Sequence, residues 1–329
     1  MARNKSPGAV LYMDEVLAEL ANQAPDAVLR GTPSAVHRAR VATRRMGAAM
    51  QVMSPLAEEQ QWKLLRRALK RIRRSVQALR DLDVMQEHLS DFASGGVYPD
   101  ACERVRAEMA EERIKTSQRV AQEANVDKWL AQTGYWMAIR GSLTSKDDRV
   151  RTLIRQALRA QFAEFSSQAD GLSDALLAGD GQHDVQPHAL RIAGKSLRYT
   201  FEMAQAQHMG STVRVLRRFK QLQDALGVWH DYHVLCARVM QVCESELNGG
   251  EWHVEQRNLI LLAAHIHRES AKHLVQFARL WKRHREFLLT ELAVATGESA
   301  SPLAAAILPP EPAAPTVGGS DGKSSESAA

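Results

Sequence analysis

The sequence predicts an all-α fold, and three observations carry that prediction. Apolar residues recur at helical spacing from about residue 8 to 295, with no convincing run of strand alternation. Ala, Leu, Arg, Gln and Glu are plentiful, whereas aromatics make up 5% of the chain, a balance that favours helices over sheets. Two blocks of sequence also recur in the same order about 150 residues apart, which marks a duplicated helical unit.

Taken in order, Val10 to Ala21 reads as a first helix. Thr32-Pro33-Ser34 opens a second, because proline suits a first turn whose N–H would lack a partner anyway. Ser54-Pro55 closes it and admits a long third helix over 57–91. Gly95-Gly96 and Pro99 mark the next break, and helices then continue to about Ile139. A second set follows over 148–170, 186–207, 211–247 and 251–293. The first repeat thus covers about 8–140 and the second about 148–293, within one domain of residues 1–295. Residues 296–329 turn to Pro, Ala, Ser and Gly, and read as a disordered tail.

The net charge of +5 understates the basicity of the domain. The tail from Glu298 holds Glu298, Glu311, Asp321 and Glu326 against Lys323 alone, so the preceding residues carry +8. Such a body suits a polyanion, although charge alone does not choose among nucleic acid, membrane surface and phosphate polymer. Cys102, Cys236 and Cys243 form no CxxC pair, as expected of free thiols in a reducing cytoplasm. No signal-peptide pattern and no membrane-span-length apolar run occurs, so a cytoplasmic protein without a membrane partner is expected.

The repeat locates the charge. His37, Arg40, Val41, Ala42 and Arg44 align with His188, Arg191, Ile192, Ala193 and Lys195 at a spacing of 151. Residues 69–85 align with 219–235 at a spacing of 150, pairing Lys70 with Lys220 and Asp81 with Asp231. At about 100° per residue, His37, Arg40 and Arg44 fall within roughly 60° on one helix face. His188, Arg191, Lys195 and Arg198 form the matching stripe. An ordinary solvated face is the plain reading of one such helix. A nearly acid-free stripe that recurs with its histidine favours an anion site instead.

The third helix adds Lys63, Arg66, Lys70, Arg73 and Arg74 on one face, where Arg can make bidentate and Lys point-charge contacts with phosphate. Its second copy is thinner: Lys220 remains, and Arg217 with Arg218 compensates in part. Asp81 and Asp231 read as acid partners that orient nearby cations rather than as a catalytic pair. Tyr199 could donate to phosphate or simply pack as a core tyrosine. His230-Asp231-Tyr232-His233 invites a metal reading, but no Asp follows Asp231 before the tail. His265, His267 and His273 read as surface or packing residues. No P-loop, nucleophile elbow or zincin helix is present. The expectation is a protein with no catalytic residue, no metal and no cofactor.

The blocks HRARVATRRM and LRDLDV in the first half, with HALRIAGKSLRYTFE and KQLQDALGVWHD in the second, resemble the CHAD domain family over residues 8–295. That resemblance implies two four-helix bundles related by pseudo-two-fold symmetry around a basic central groove or pore. It further implies binding of inorganic polyphosphate and association with polyphosphate granules and their proteins. The lining residues it implies are His37, Arg40, Arg44, Arg45, Lys70, His188, Arg191, Lys195, Arg198 and Lys220. Two positions depart from the family pattern: Gly47 where an Arg is frequent, and Gln77 where a helix-breaking Gly is usual, although Gly227 keeps that glycine in the second copy. Nucleic acid is the weaker partner candidate, since basic–aromatic alternation is missing. A phosphate-metabolising enzyme is weaker still.

Overall fold

A computed structural model describes residues 6–179, 185–210, 213–246 and 254–297, and all its regular structure is helical. Helix α1 spans Gly8–Pro25 and passes through a π-helical turn at Asp26–Arg30. Gly31 ends that turn at φ +64, and its carbonyl accepts from Arg113 Nη2 at 2.6 Å. An added Cβ on Gly31 would also lie 2.6 Å from Ser117 Oγ, so glycine is required there for both reasons. Helix α2 spans Pro33–Met53 with its proline in the first turn, as the sequence predicts. A 3-10 turn at Ser54–Leu56 follows.

The expected long third helix is two helices, α3 at Glu59–Ser75 and α4 at Gln77–Ser94. They break at Val76, whose φ of −97 and ψ of 6 leave the helical well. The Ser75 hydroxyl donates to the Ile72 carbonyl at 2.9 Å, back-bonding that competes with the helical ladder at this point. The second copy behaves oppositely, because α10 (Val213–Glu246) runs unbroken through Gly227.

The chain continues with α5 (Pro99–Glu123), α6 (Val126–Thr133), α7 (Tyr135–Leu143), α8 (Asp147–Ala178) and α9 (Pro187–Ala206), then α10 and α11 (Val254–Thr296). Asn125 caps α6 by accepting the Lys128 N–H at 3.0 Å. The tail expected to be disordered lies, from residue 298 onward, outside the described residues. No helix among those described is long and apolar enough to cross a membrane.

Two hydrophobic cores hold these helices. The larger gathers Trp62 and the Met13, Met46, Met50 and Met53 side chains from the first half with Phe162, Phe165, Phe201, Phe219, Phe277 and Trp281 from the second. Phe165 packs against Phe219 at 5.1 Å and edge-on to Trp281 at 5.5 Å between centroids. The smaller core joins Leu82, Met85 and Leu89 of α4 and Cys102, Val105 and Met109 of α5 to Leu235, Val239, Leu259, Leu262 and Ile266 of α10 and α11. Each core therefore draws on both halves of the chain. Cys102, Cys236 and Cys243 are free thiols.

A half-buried clasp occurs twice. Trp136 Nε1 donates to Asp14 at 2.7 Å, and Arg140 Nε reaches the same carboxylate at 2.9 Å. Trp281 Nε1 donates to Asp170 at 2.8 Å, and Arg285 Nε does so at 3.1 Å. In both cases a Trp-x-x-x-Arg pair on the last helix of a half ties down an acid on that half's first helix. This third recurrence, WMAIR against WKRHR, escaped the sequence reading because its spacing differs from that of the other blocks.

Candidate functional site

Helices α2, α4, α9 and α10 surround a cavity of about 430 Å³. Arg40 and Arg44 enter it from α2, Arg80 from α4, and Arg191, Lys195 and Arg198 from α9; Lys220 stands at the α10 wall. Helical phase explains the convergence. Residues three and four apart share a face, and the opposite faces of α2 and α9 are buried through Ala39, Met46, Leu190, Leu197 and Phe201. The acids in the wall are Asp81, Asp224 and Asp231.

Two further cavities adjoin it. One of about 690 Å³ lies on the α3 side, lined by Arg44, Arg66, Lys70, Arg73, Arg191 and Lys195 and by no acid. The other, of about 870 Å³, lies on the α1 side and includes Glu15, Glu19, His37, Arg38, Arg45, Arg198 and Lys220. Tyr199 lines all three.

Burial and crowding act on these cations together. Lys195 is pushed down to about 7, first by burial and then by Arg44 and Arg191. Arg40, only 6% exposed, is lowered to about 10 by burial and by Arg44. Arg73 and Arg191 are also lowered, mainly by burial. Arg40 Nη1 and Arg191 Nε are buried without a hydrogen-bond acceptor, a costly arrangement for donors on a charged group.

His37 and His230, which face the cavity, are both held below the ordinary histidine value. His37 is lowered by burial, then by Arg80, Arg40 and Arg44. His230 is pushed down to about 4 by burial and Arg191. At neutral pH His230 is therefore uncharged in the free protein, whereas Lys195 titrates there.

The two expected acid partners differ. Asp231 lies 3.7 Å from Arg191 and 4.0 Å from His88. Burial pushes its carboxyl up, but the nearby His88 imidazole and the Arg191 guanidinium hold it below its ordinary value. Asp81 instead accepts two contacts from the Gln77 amide at 2.8 and 2.7 Å, so its direct partner is an amide and not a cation. The glutamine that replaces the usual glycine thus occupies this carboxylate.

Other expected residues are engaged or displaced. Glu202 receives Arg45 Nε at 2.8 Å and the Tyr12 hydroxyl at 3.0 Å, and pairs with Arg198 at 3.3 Å. Lys220 pairs with Asp224 at 2.6 Å. Lys63, Arg74, Arg217 and His188 line none of the three cavities. Arg74 is turned about 100° from Arg73 around α3. Lys63 and Arg217 lie a turn beyond the lined stretches of their helices. His188 sits outside the central cavity, its Nδ1 3.4 Å from that of His230. Tyr199 is buried, and burial raises its phenol. The sequence reading missed Arg80, Glu202 and the cavity-facing position of His230. Arg80 was legible from phase, since Gln77, Arg80, Asp81 and Val84 share one face of α4. Among the described residues, no group of three or more His, Cys, Asp or Glu side chains is arranged to hold a metal.

PptA from Streptomyces chartreusis has a similar solved structure, with a TM-score of 0.55 at 14% identity, covering 84% of this chain and 99% of that one. At that identity the likeness speaks for the fold alone. No curated protein matches the chain. The family model of the CHAD domain matches residues 11–239, from α1 into α10 and across all four helices of the central cavity. A helical chain with that match belongs to the CHAD domain family.

Proposed function

We propose that the chain binds inorganic polyphosphate, without turning it over, in a basic groove centred on the cavity between α2, α4, α9 and α10. One observation carries the reading: cationic side chains from both halves, including Arg40, Arg44, Arg80, Arg191 and Lys195, converge on a space enclosed by four helices. Their mutual repulsion and desolvation persist in the free protein, as the lowered Lys195 and Arg40 indicate. A flexible anion would relieve both costs. The repeated Trp–Asp–Arg clasp and the aligned His-x-x-Arg helices support a duplicated, pseudo-symmetric bundle as its frame. Family membership supports the same ligand. Location in the cytoplasm and at polyphosphate granules, with granule proteins as neighbours, follows from that ligand.

The mechanism is electrostatic capture by counterion release. Helices packed this closely favour a thin single chain over a stiff duplex. Titration with polyphosphate at several salt concentrations tests the reading. With about six engaged cations, log affinity should fall against log salt with a slope of about −4. Affinity that ignores salt overturns it. Duplex DNA that displaces polyphosphate at equal phosphate concentration would assign the groove to nucleic acid, and phosphate release on incubation would make the chain an enzyme.

A further inference from the structure

The two outer cavities are electrostatic opposites. On the α3 side, Arg66, Lys70 and Arg73 make no ion pair among the described residues, and no acid lines that wall. On the α1 side, Arg45 and Arg198 share the single carboxylate of Glu202, and Lys220 pairs with Asp224. Glu15 and Glu19 in that wall have no ion-pair partner among the described residues, which leaves Arg38 to oppose two carboxylates. Potential therefore falls along the channel, from strongly positive at α3, through the crowded central cavity, to near neutral at α1.

We propose, on the basis of the polyphosphate reading, that the channel is one-ended: a polyphosphate chain enters from the α3 side and its terminal phosphate stops in the central cavity. Passage onward would place singly charged phosphate units beside Glu15 and Glu19, with most cations there already paired to acids. Chemistry favours the end as well. An internal unit carries one negative charge, whereas a terminal phosphate has a second ionisation near pH ~6, as phosphate monoesters do. In the central cavity that end meets seven cationic side chains within about 430 Å³, a tighter cluster than the six within about 690 Å³ on the α3 side. The binding specificity is therefore for chain ends rather than for polymer length.

The experiment compares plain polyphosphate with polyphosphate whose two terminal phosphates are capped as phosphoramidates, at two chain lengths, by calorimetric titration of the full chain. Capping is expected to weaken binding by about tenfold or more. Plain polymer should saturate at no more than two proteins per chain at both lengths. Equal binding of capped and plain chains, or protein per chain that rises with length, overturns one-ended binding while leaving the polyphosphate reading intact. Absence of binding to plain polymer overturns both. A second arm separates the mouths. R66Q/R73Q should weaken binding about tenfold and R38Q by less than about twofold, whereas equal losses would show that both mouths hold the polymer.

Discussion

Lys195 concentrates the physics of the site in one side chain. Its ammonium is desolvated and faces Arg44 and Arg191, so it releases its proton at about pH 7 instead of 10.5. The unfolded lysine binds that proton more tightly. The resulting destabilisation is full below about pH 7 and fades as pH rises towards 10.5. Lys195→Met should therefore raise stability at neutral pH, and its advantage should shrink with rising pH in urea unfolding curves. A bound polyanion reverses the shift, so binding near pH 8 should take up protons. Calorimetry in buffers of different ionisation enthalpy would read that uptake, and the Met variant should show less of it. Glu202 is the opposite case, an acid only 10% exposed that gathers Arg45, Arg198 and Tyr12. Glu202→Ala leaves those cations uncompensated and should cost about 3 kcal/mol, read as a lower urea midpoint. The His-x-x-Arg stripes were legible because they obey helical phase. Glu202 was legible only as the i,i+4 partner of Arg198, since its other partners, Arg45 and Tyr12, lie more than 150 residues away.

Among the elements, the Val76 break and the unbroken α10 show what a single helix can reveal about itself. The sequence reads as one continuous helix in each copy, over 57–91 and 211–247. The structure keeps the second unbroken in spite of Gly227 and divides the first at Val76. Propensity differences of about 1 kcal/mol yield to the packing of a wholly buried Val76 and the back-bonding of Ser75. Gly227 has open space around its Cβ position and sits in a regular helix, so Gly227→Ala should stabilise by roughly 0.5–1 kcal/mol in thermal or urea unfolding. Gly194 is the counter-example. A methyl there would meet Phe165 Cε2 at 2.9 Å, and Gly194→Ala should cost about 1–3 kcal/mol by overpacking between α8 and α9. Helix existence was legible nearly throughout. The α3–α4 division was not, because periodicity reports which face is apolar and not where the axis bends.

For the whole molecule, the duplication predicts two halves, but the cores do not respect that division. The α4–α5 hairpin finds its apolar partner in α10 and α11, and the larger core mixes both halves as well. No sequence pattern reports this, since amphipathic faces of similar composition are interchangeable until three-dimensional packing pairs them. Residues 6–146 expressed alone should therefore lack a cooperative unfolding transition and expose apolar surface, visible as dye binding and loss of near-ultraviolet circular dichroism. A sharp transition from that fragment would show that the first half is self-sufficient.

The shared smaller core also constrains how the chain is made. Leu82, Met85, Val105 and Met109 leave the ribosome well before α11, whose Leu259, Leu262 and Ile266 must cover them. At a synthesis rate of about 5–20 residues per second, the finished α4–α5 hairpin waits roughly ten to thirty seconds for that cover. During this interval the nascent chain presents a sticky helical surface, and a chaperone acting on unfinished polypeptides would find its client there.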